Sequence, residues 1–167
     1  MKEIKMNQQT NKEYQGIEST IEWFKKAIPN PTPENLCVQV GCHIEEYSEM
    51  MYELAKGSLY IDTTQRWADK FKTKEPSALK SVELISESKK RQTDFLDAML
   101  DQIVTNIGIL HMMGYNIQGA LTEVNRSNFS KFDENGNPIF NENGKIAKGA
   151  NYTPPNLKEF LPKSENE

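Results

Sequence analysis

The chain is short of several things, and each shortage removes a class of protein. Only two of its 167 residues are cysteine, and Cys37 and Cys42 lie five apart with no second pair. That is neither a disulfide framework nor the four-ligand spacing of a structural zinc site, so the expectation is a reducing, cytosolic protein. No N-terminal apolar segment has the form of a signal peptide, and no run approaches the roughly 20 apolar residues that cross a membrane. Dense basic runs are missing too, and the formal net charge is −4, which argues against a nucleic-acid-binding surface. There is no internal repeat and no low-complexity tract.

What is present suffices for one domain. The 167 residues are 37% hydrophobic and 26% charged, enough for a real core. Residues 1–15 are polar and read as a loose arm. Over 17–28, Ile17, Ile21, Phe24 and Ile28 fall at helical spacing with Trp23 beside them. Pro29, Pro31 and Pro33 end that helix, because proline breaks the ladder and disfavours helix in the residue before it. A second helix opens at Thr32 or Pro33 and runs to about Gly57. Trp67 and Phe71 anchor a short helix over 64–71, and 77–92 is helical with Leu79, Val82 and Ile85 turned inward. Lys89-Lys90-Arg91 reads as a solvated helix end. A long helix over 92–113 stops near Gly114, and 117–129 makes one more. Asn135-Gly136 and Asn143-Gly144 then mark a small hairpin or tight double loop within 133–167. The fold class is all-α, with a hairpin or loop tail.

Two sets of acids stand out. Glu46, Glu49 and Glu53 recur one turn apart and form a single stripe. The apolar face of the same helix, Leu36, Val40, Ile44, Tyr47, Met51 and Leu54, is centred roughly 130° away by helical arithmetic. A solvated acidic face has the same pattern. In 92–113, Phe95, Leu96, Met99, Leu100, Ile103, Val104, Ile107 and Leu110 cover most of the circumference, and Asp94, Asp97 and Asp101 share the stripe that remains. A helix apolar nearly all round is expected to be buried, and buried carboxylates need cations. Between Thr93 and Met113 His111 is the only basic residue, so the charge must come from elsewhere in the fold or from a metal. Carboxylates from two helices make the all-oxygen site that Mg²⁺ prefers. Asp94 and Asp97 also fit as ordinary first-turn helix acids; Asp101 lies too deep for that.

With these residues in place, the chain resembles the all-alpha nucleoside triphosphate pyrophosphohydrolase superfamily, specifically its phage-type MazG-like members. The resemblance rests on Glu45-Glu46-Tyr47-Ser48-Glu49, on 97–105 with Gly108, on 123–132, and on the Asn-Gly loop through Tyr152-Thr153-Pro154-Pro155-Asn156-Leu157. It implies a MazG-like helical bundle that hydrolyses a (deoxy)nucleoside triphosphate to the monophosphate and pyrophosphate. It further implies a phage- or prophage-encoded chain in a bacterial cytoplasm, assembled as a homodimer or homotetramer. Mg²⁺, with Mn²⁺ as substitute, is the cofactor. Matched position by position, Glu46, Glu49 and Asp101 hold the metal, with Asp97 as a fourth acid. The wider family has a glutamate three residues before its final aspartate; here Ala98 stands there and Asp97 comes four before. Glu45 or Asp97 is then the group that activates water. Asn128 and Lys131 are expected on phosphate or sugar, with Asn125 and His43 as further substrate contacts. His43 also reads as a structural histidine, and Asn125 as a helix-surface residue.

Two other classes compete. One is a non-catalytic nucleotide- or metal-binding protein, in which the Ala98 departure has removed turnover. The other is a structural helical partner whose Asp stripe is neutralised by Lys or Arg across an interface. Metal-dependent pyrophosphate release separates the enzyme from both.

Overall fold

A computed structural model describes residues 14–55 and 59–163. Its regular structure is helical: α1 (Gly16–Ala27), α2 (Pro33–Ala55), α3 (Leu59–Lys72), α4 (Pro76–Ile85), α5 (Lys89–Met112), α6 (Ile117–Phe129) and a 3-10 turn at Lys158–Phe160. Among the described residues there is no strand, only isolated bridges at Phe140 and Ile146. The class is therefore all-α. The expected arm over 1–15 lies outside the described residues except for Tyr14 and Gln15, and so does the expected helix end at Gly57.

Local chemistry sets the helix ends. Thr32 and Asn35 cap α2 reciprocally: the Asn35 amide donates to Thr32 Oγ1 at 3.3 Å, and the Thr32 amide to Asn35 Oδ1 at 3.0 Å. Pro33 and Pro76 each occupy a first helical position, where the missing N–H costs nothing. Ser88 Oγ accepts the Arg91 amide at the start of α5. At its end Gly114 takes a left-handed φ of 72°, and the Tyr115 amide returns to the Leu110 carbonyl, closing a Schellman turn. Asn116 caps α6 through the Gly119 amide.

The chain divides into two compact units. The first comprises 1–29, 97–139 and 146–167; the second comprises 30–96 and 140–145. In the first, α1 lies along α6 around Trp23, Ala27 and Phe132, with Phe24, Ile28, Phe129 and Ile146 packed against them. Trp23 donates its indole N–H to the Asn128 carbonyl at 2.8 Å and stacks on Phe132. Ile17 and Ile21, expected to face inward, are exposed instead. The indole buries more surface than either isoleucine and finds a partner for its polar end, so it sets the rotation of α1.

In the second unit α2 packs on α3 and α4 around Cys37, Phe71, Ala78 and Val82. The α2–α3 seam is made by small residues. A Cβ at Gly41 would stand 2.7 Å from the Lys72 amide nitrogen and 2.8 Å from the Ala68 carbonyl oxygen, so the two backbones touch there. Cys37 donates its thiol to the Phe71 carbonyl, and Ser48 is buried against Thr64. The large side chains expected to turn inward on α2 do not all do so: Tyr47 and Leu54 are exposed, Leu54 to 74%. Trp67 is exposed as well, and Phe71 alone of that pair is core.

The expectation for α5 is corrected outright. Not one of its residues is buried. The patterning of 92–113 reported an apolar circumference correctly, but its large side chains are left partly exposed among the described residues.

The tail forms the tight double loop. Asp133 Oδ1 accepts the amides of Asn135 and Asn137, and Asn141 Oδ1 accepts those of Asn143 and Lys145. Gly136 and Gly144 supply the positive φ that each turn requires. The Thr153–Pro154 stretch returns to α6, where Arg126 donates to Thr153 Oγ1 and the Pro154 carbonyl.

Candidate functional site

The acid stripe of α2 forms in the second unit as its spacing predicts. Glu46, Glu49 and Glu53, with Met50 and Tyr52, line an open cavity of about 440 Å³. All three carboxylates face solvent. Glu49 and Glu53 make no hydrogen bond or ion pair among the described residues. Such carboxylates keep their lone pairs for a ligand, and oxygen donors alone suit a hard divalent cation. The chemistry of this donor set fits Mg²⁺; a complete cage needs at least one group more. Among the described residues, no three His, Cys, Asp or Glu side chains already stand together as a metal-binding group.

Glu45, next in sequence to that stripe, has a different environment. Lys72 Nζ donates to its Oε1 at 2.8 Å and Lys145 Nζ to its Oε2 at 2.6 Å. The carboxylate side chain is only 19% exposed. Burial pushes its pKa up, but the hydrogen bonds and charges of Lys145 and Lys72 outweigh burial and hold it below the ordinary value. Lys72 also pairs with Asp69 at 3.1 Å. Burial alone would lower the pKa of either lysine, yet hydrogen bonding to Glu45 leaves both raised. Glu45, Asp69, Lys72, Thr73, Asn141, Asn143 and Lys145 line a second cavity of about 320 Å³. A doubly paired carboxylate is a poor base, so Glu45 is suited to hold Lys145 and its loop rather than to activate water. Lys74 assists by donating to the Asn143 carbonyl. Sequence reading missed this cluster. Glu45 and Lys145 are 100 residues apart, and only the Asn143-Gly144 turn hinted that the loop presents a side chain.

The remaining candidates divide between the units. His43 is half-buried on α2 in the second unit, where it takes part in an interaction within the fold. Asp97 and Asp101 lie on the stretch of α5 assigned to the first unit, both exposed. Asp94 pairs with Lys90 at 2.6 Å, as a solvated helix acid does. Lys131 donates to Asn128 Oδ1 at 2.8 Å and lies over the Trp23 ring at 5.4 Å, so both expected phosphate contacts sit together and half-buried.

Asn125 is corrected. It is 1% exposed, donates to the carbonyls of Tyr14 and Gly16, and accepts from Thr20 Oγ1. Those bonds lock α1 to α6 and leave no face for a substrate. Arg126 is structural for a similar reason: it grips Glu123 bidentately and reaches Thr153, which lowers the Glu123 pKa. A cavity of about 540 Å³ in the first unit lies at the N-terminal ends of α1 and α6 and is lined by Gln15, Glu18, Asn116, Thr122 and Phe160 among others. It contains none of the expected site residues.

No helix among the described residues is long and apolar enough to cross a membrane. In comparison with known proteins, no family model, no curated protein and no solved structure matches the chain.

Proposed function

We propose that this chain is a Mg²⁺-dependent nucleoside triphosphate pyrophosphohydrolase of the cytoplasm. The observation that carries the reading is the α2 stripe. Its three carboxylates stand one turn apart around an open cavity, and two of them have no partner among the described residues. Acids in that state cost little in water but bind a hard cation strongly once a polyphosphate supplies further oxygens. Asp97 and Asp101 of the first unit are likewise exposed, with no hydrogen bond or ion pair from their side chains among the described residues.

The reaction is attack of water on the α-phosphorus and cleavage of the α–β anhydride bond, giving nucleoside monophosphate and pyrophosphate. Glu46 and Glu49 of the second unit would hold the ion. When bound, Mg²⁺ neutralises the triphosphate and acidifies its coordinated water. A carboxylate not engaged in holding the ion would take the proton from the attacking water. Lys131, steadied by Asn128 and the Trp23 ring, is the cation that the first unit offers to phosphate. The paired Glu45 takes no proton in this scheme.

The test is pyrophosphate release from a panel of ribo- and deoxyribonucleoside triphosphates, with Mg²⁺ and with chelator. Chelator-sensitive release on any member supports the enzyme and names its substrate. Silence across the panel, with Mg²⁺ still raising the melting temperature, transfers the chain to the non-catalytic binders. Silence with no metal effect sinks the reading.

A further inference from the structure

The tail carries two Asn-Gly turns, Asp133-Glu134-Asn135-Gly136 and Asn141-Glu142-Asn143-Gly144, and they are built alike. In each, the first side chain accepts two backbone amides, and the glycine amide donates to the first residue's carbonyl at 2.9 Å. The side-chain amide of neither Asn135 nor Asn143 has a hydrogen bond among the described residues. Asn-Gly is also the dipeptide most open to spontaneous deamidation, because glycine puts no side chain in the way of its own nitrogen as it attacks the preceding amide. The two turns differ in one contact. Lys74 Nζ donates to the Asn143 carbonyl at 2.6 Å, whereas no side chain among the described residues donates to the Asn135 carbonyl. Lys26, which reaches Gly136, lies over the Phe132 ring. Lys74 is fixed at its backbone: it follows α3 in a left-handed φ of 58°, with its amide bonded to the Phe71 carbonyl. The carbonyl it grips belongs to the same peptide group as the Gly144 nitrogen. A cation on that oxygen stabilises the charge that spreads there when the N–H ionises, and so makes the nitrogen a readier nucleophile.

We infer that Asn143 is a self-modification site, to which the Lys74 contact directs deamidation in preference to Asn135, although Asn135 is the more exposed of the two. The Gly144 nitrogen bonds to Asn143 Cγ, the Cγ–Nδ2 bond breaks, and the amide nitrogen leaves as ammonia with the proton that the Gly144 nitrogen gave up. Water then opens the cyclic imide, its hydroxyl going to one carbonyl carbon and its proton to the nitrogen. The product is aspartate, or isoaspartate where the main-chain bond is the one cleaved. Either sets a new carboxylate at the cavity that Lys72 and Lys145 line with Glu45 and Asp69. None of these steps involves the α2 acid stripe.

Incubation of the full chain at neutral pH, followed by trypsin and tandem mass spectrometry, reads both sites in the single peptide 132–145. Deamidation is expected to run on the order of tenfold faster at Asn143 than at Asn135, the factor that one unit of amide acidity makes in the ionised fraction. In urea, where the Lys74 contact is lost, the two rates are expected to converge. Lys74→Met is expected to bring Asn143 down to the rate of Asn135 with helical circular dichroism retained. Equal rates in the folded wild type overturn the inference, and so does a folded K74M protein that deamidates at Asn143 unabated. Should K74M unfold, the wild type decides by itself: a preference for Asn143 that disappears in urea supports the contact, and one that persists there comes from sequence alone and overturns it.

Discussion

The two longest helices of the chain, α2 and α5, both carry acids one turn apart, yet they satisfy the rest of their surface in opposite ways. α2 is held by small residues: Cys37, Gly41 and Ser48 let α3 approach to backbone contact, and several of its large apolar side chains remain outside. α5 has a broad face of large apolar residues, and none of its residues is buried among the described residues. The difference teaches that helix burial depends on the shape available opposite, not on the number of leucines and isoleucines. A glycine that lets two backbones touch does more for packing than an exposed leucine on the neighbouring turn.

The contrast can be broken where it is sharpest. Gly41→Leu forces a side chain into main-chain atoms of α3 that no rotamer change can relieve, and is expected to cost about 3 kcal/mol or more. Urea denaturation read as a shift in midpoint measures it; a loss below about 1 kcal/mol would mean that the seam is looser than drawn. Glu45→Gln comes next, at about 2 kcal/mol at neutral pH, because two partly buried lysines lose their shared anion. Its sign with pH is defined. The folded pKa of Glu45 lies below the unfolded one, so its stabilisation is complete above the ordinary carboxylate range and disappears as pH falls through the folded value. The gap between wild type and E45Q is therefore expected to close below about pH 4. A gap that persists at pH 3 would assign the effect to packing.

The smallest effect has the opposite sign. Gly108→Ala meets nothing within 4 Å in this chain and replaces a poor helix former with the best, so it is expected to stabilise by about 0.5–1 kcal/mol. The same glycine-to-alanine change at position 41 is expected to destabilise, since its Cβ alone meets backbone. Equal effects at the two sites would erase the distinction between seam and bare helix.

How much of this was legible in the sequence follows from the range of each interaction. Some helix ends were readable because their causes are local: Pro33 opens a helix and Gly114 closes one, whereas the break between Ile85 and Lys89 falls inside the helix expected over 77–92. The all-α class followed from those ends and the periodicity between them. Facing was harder. The rotation of α1 is decided by Trp23 meeting the Asn128 carbonyl, a contact that no 3.6-residue period encodes. The α2–α3 seam escaped because Cys37, Gly41 and Ala68 are too small to register as an apolar stripe. At the site, the spacing of Glu46, Glu49 and Glu53 placed them on one face of α2 as read. The fate of Glu45 was hidden, since its two lysines come from α3 and from a loop 100 residues away. Asn125 read as polar helix surface and proved to be a fully bonded core residue, because its partners lie on α1.

The central claim is that the α2 carboxylates carry metal-dependent hydrolysis. The direct measurement is pyrophosphate release by the wild type and by Glu49→Gln, on the best triphosphate, at saturating Mg²⁺, with melting temperatures recorded alongside. The account predicts chelator-sensitive turnover in the wild type and a loss of about 100-fold or more in E49Q, with the melting temperature nearly unchanged because Glu49 is exposed and makes no bond to lose. Turnover that survives E49Q, or a wild type that releases no pyrophosphate with any triphosphate, would contradict it.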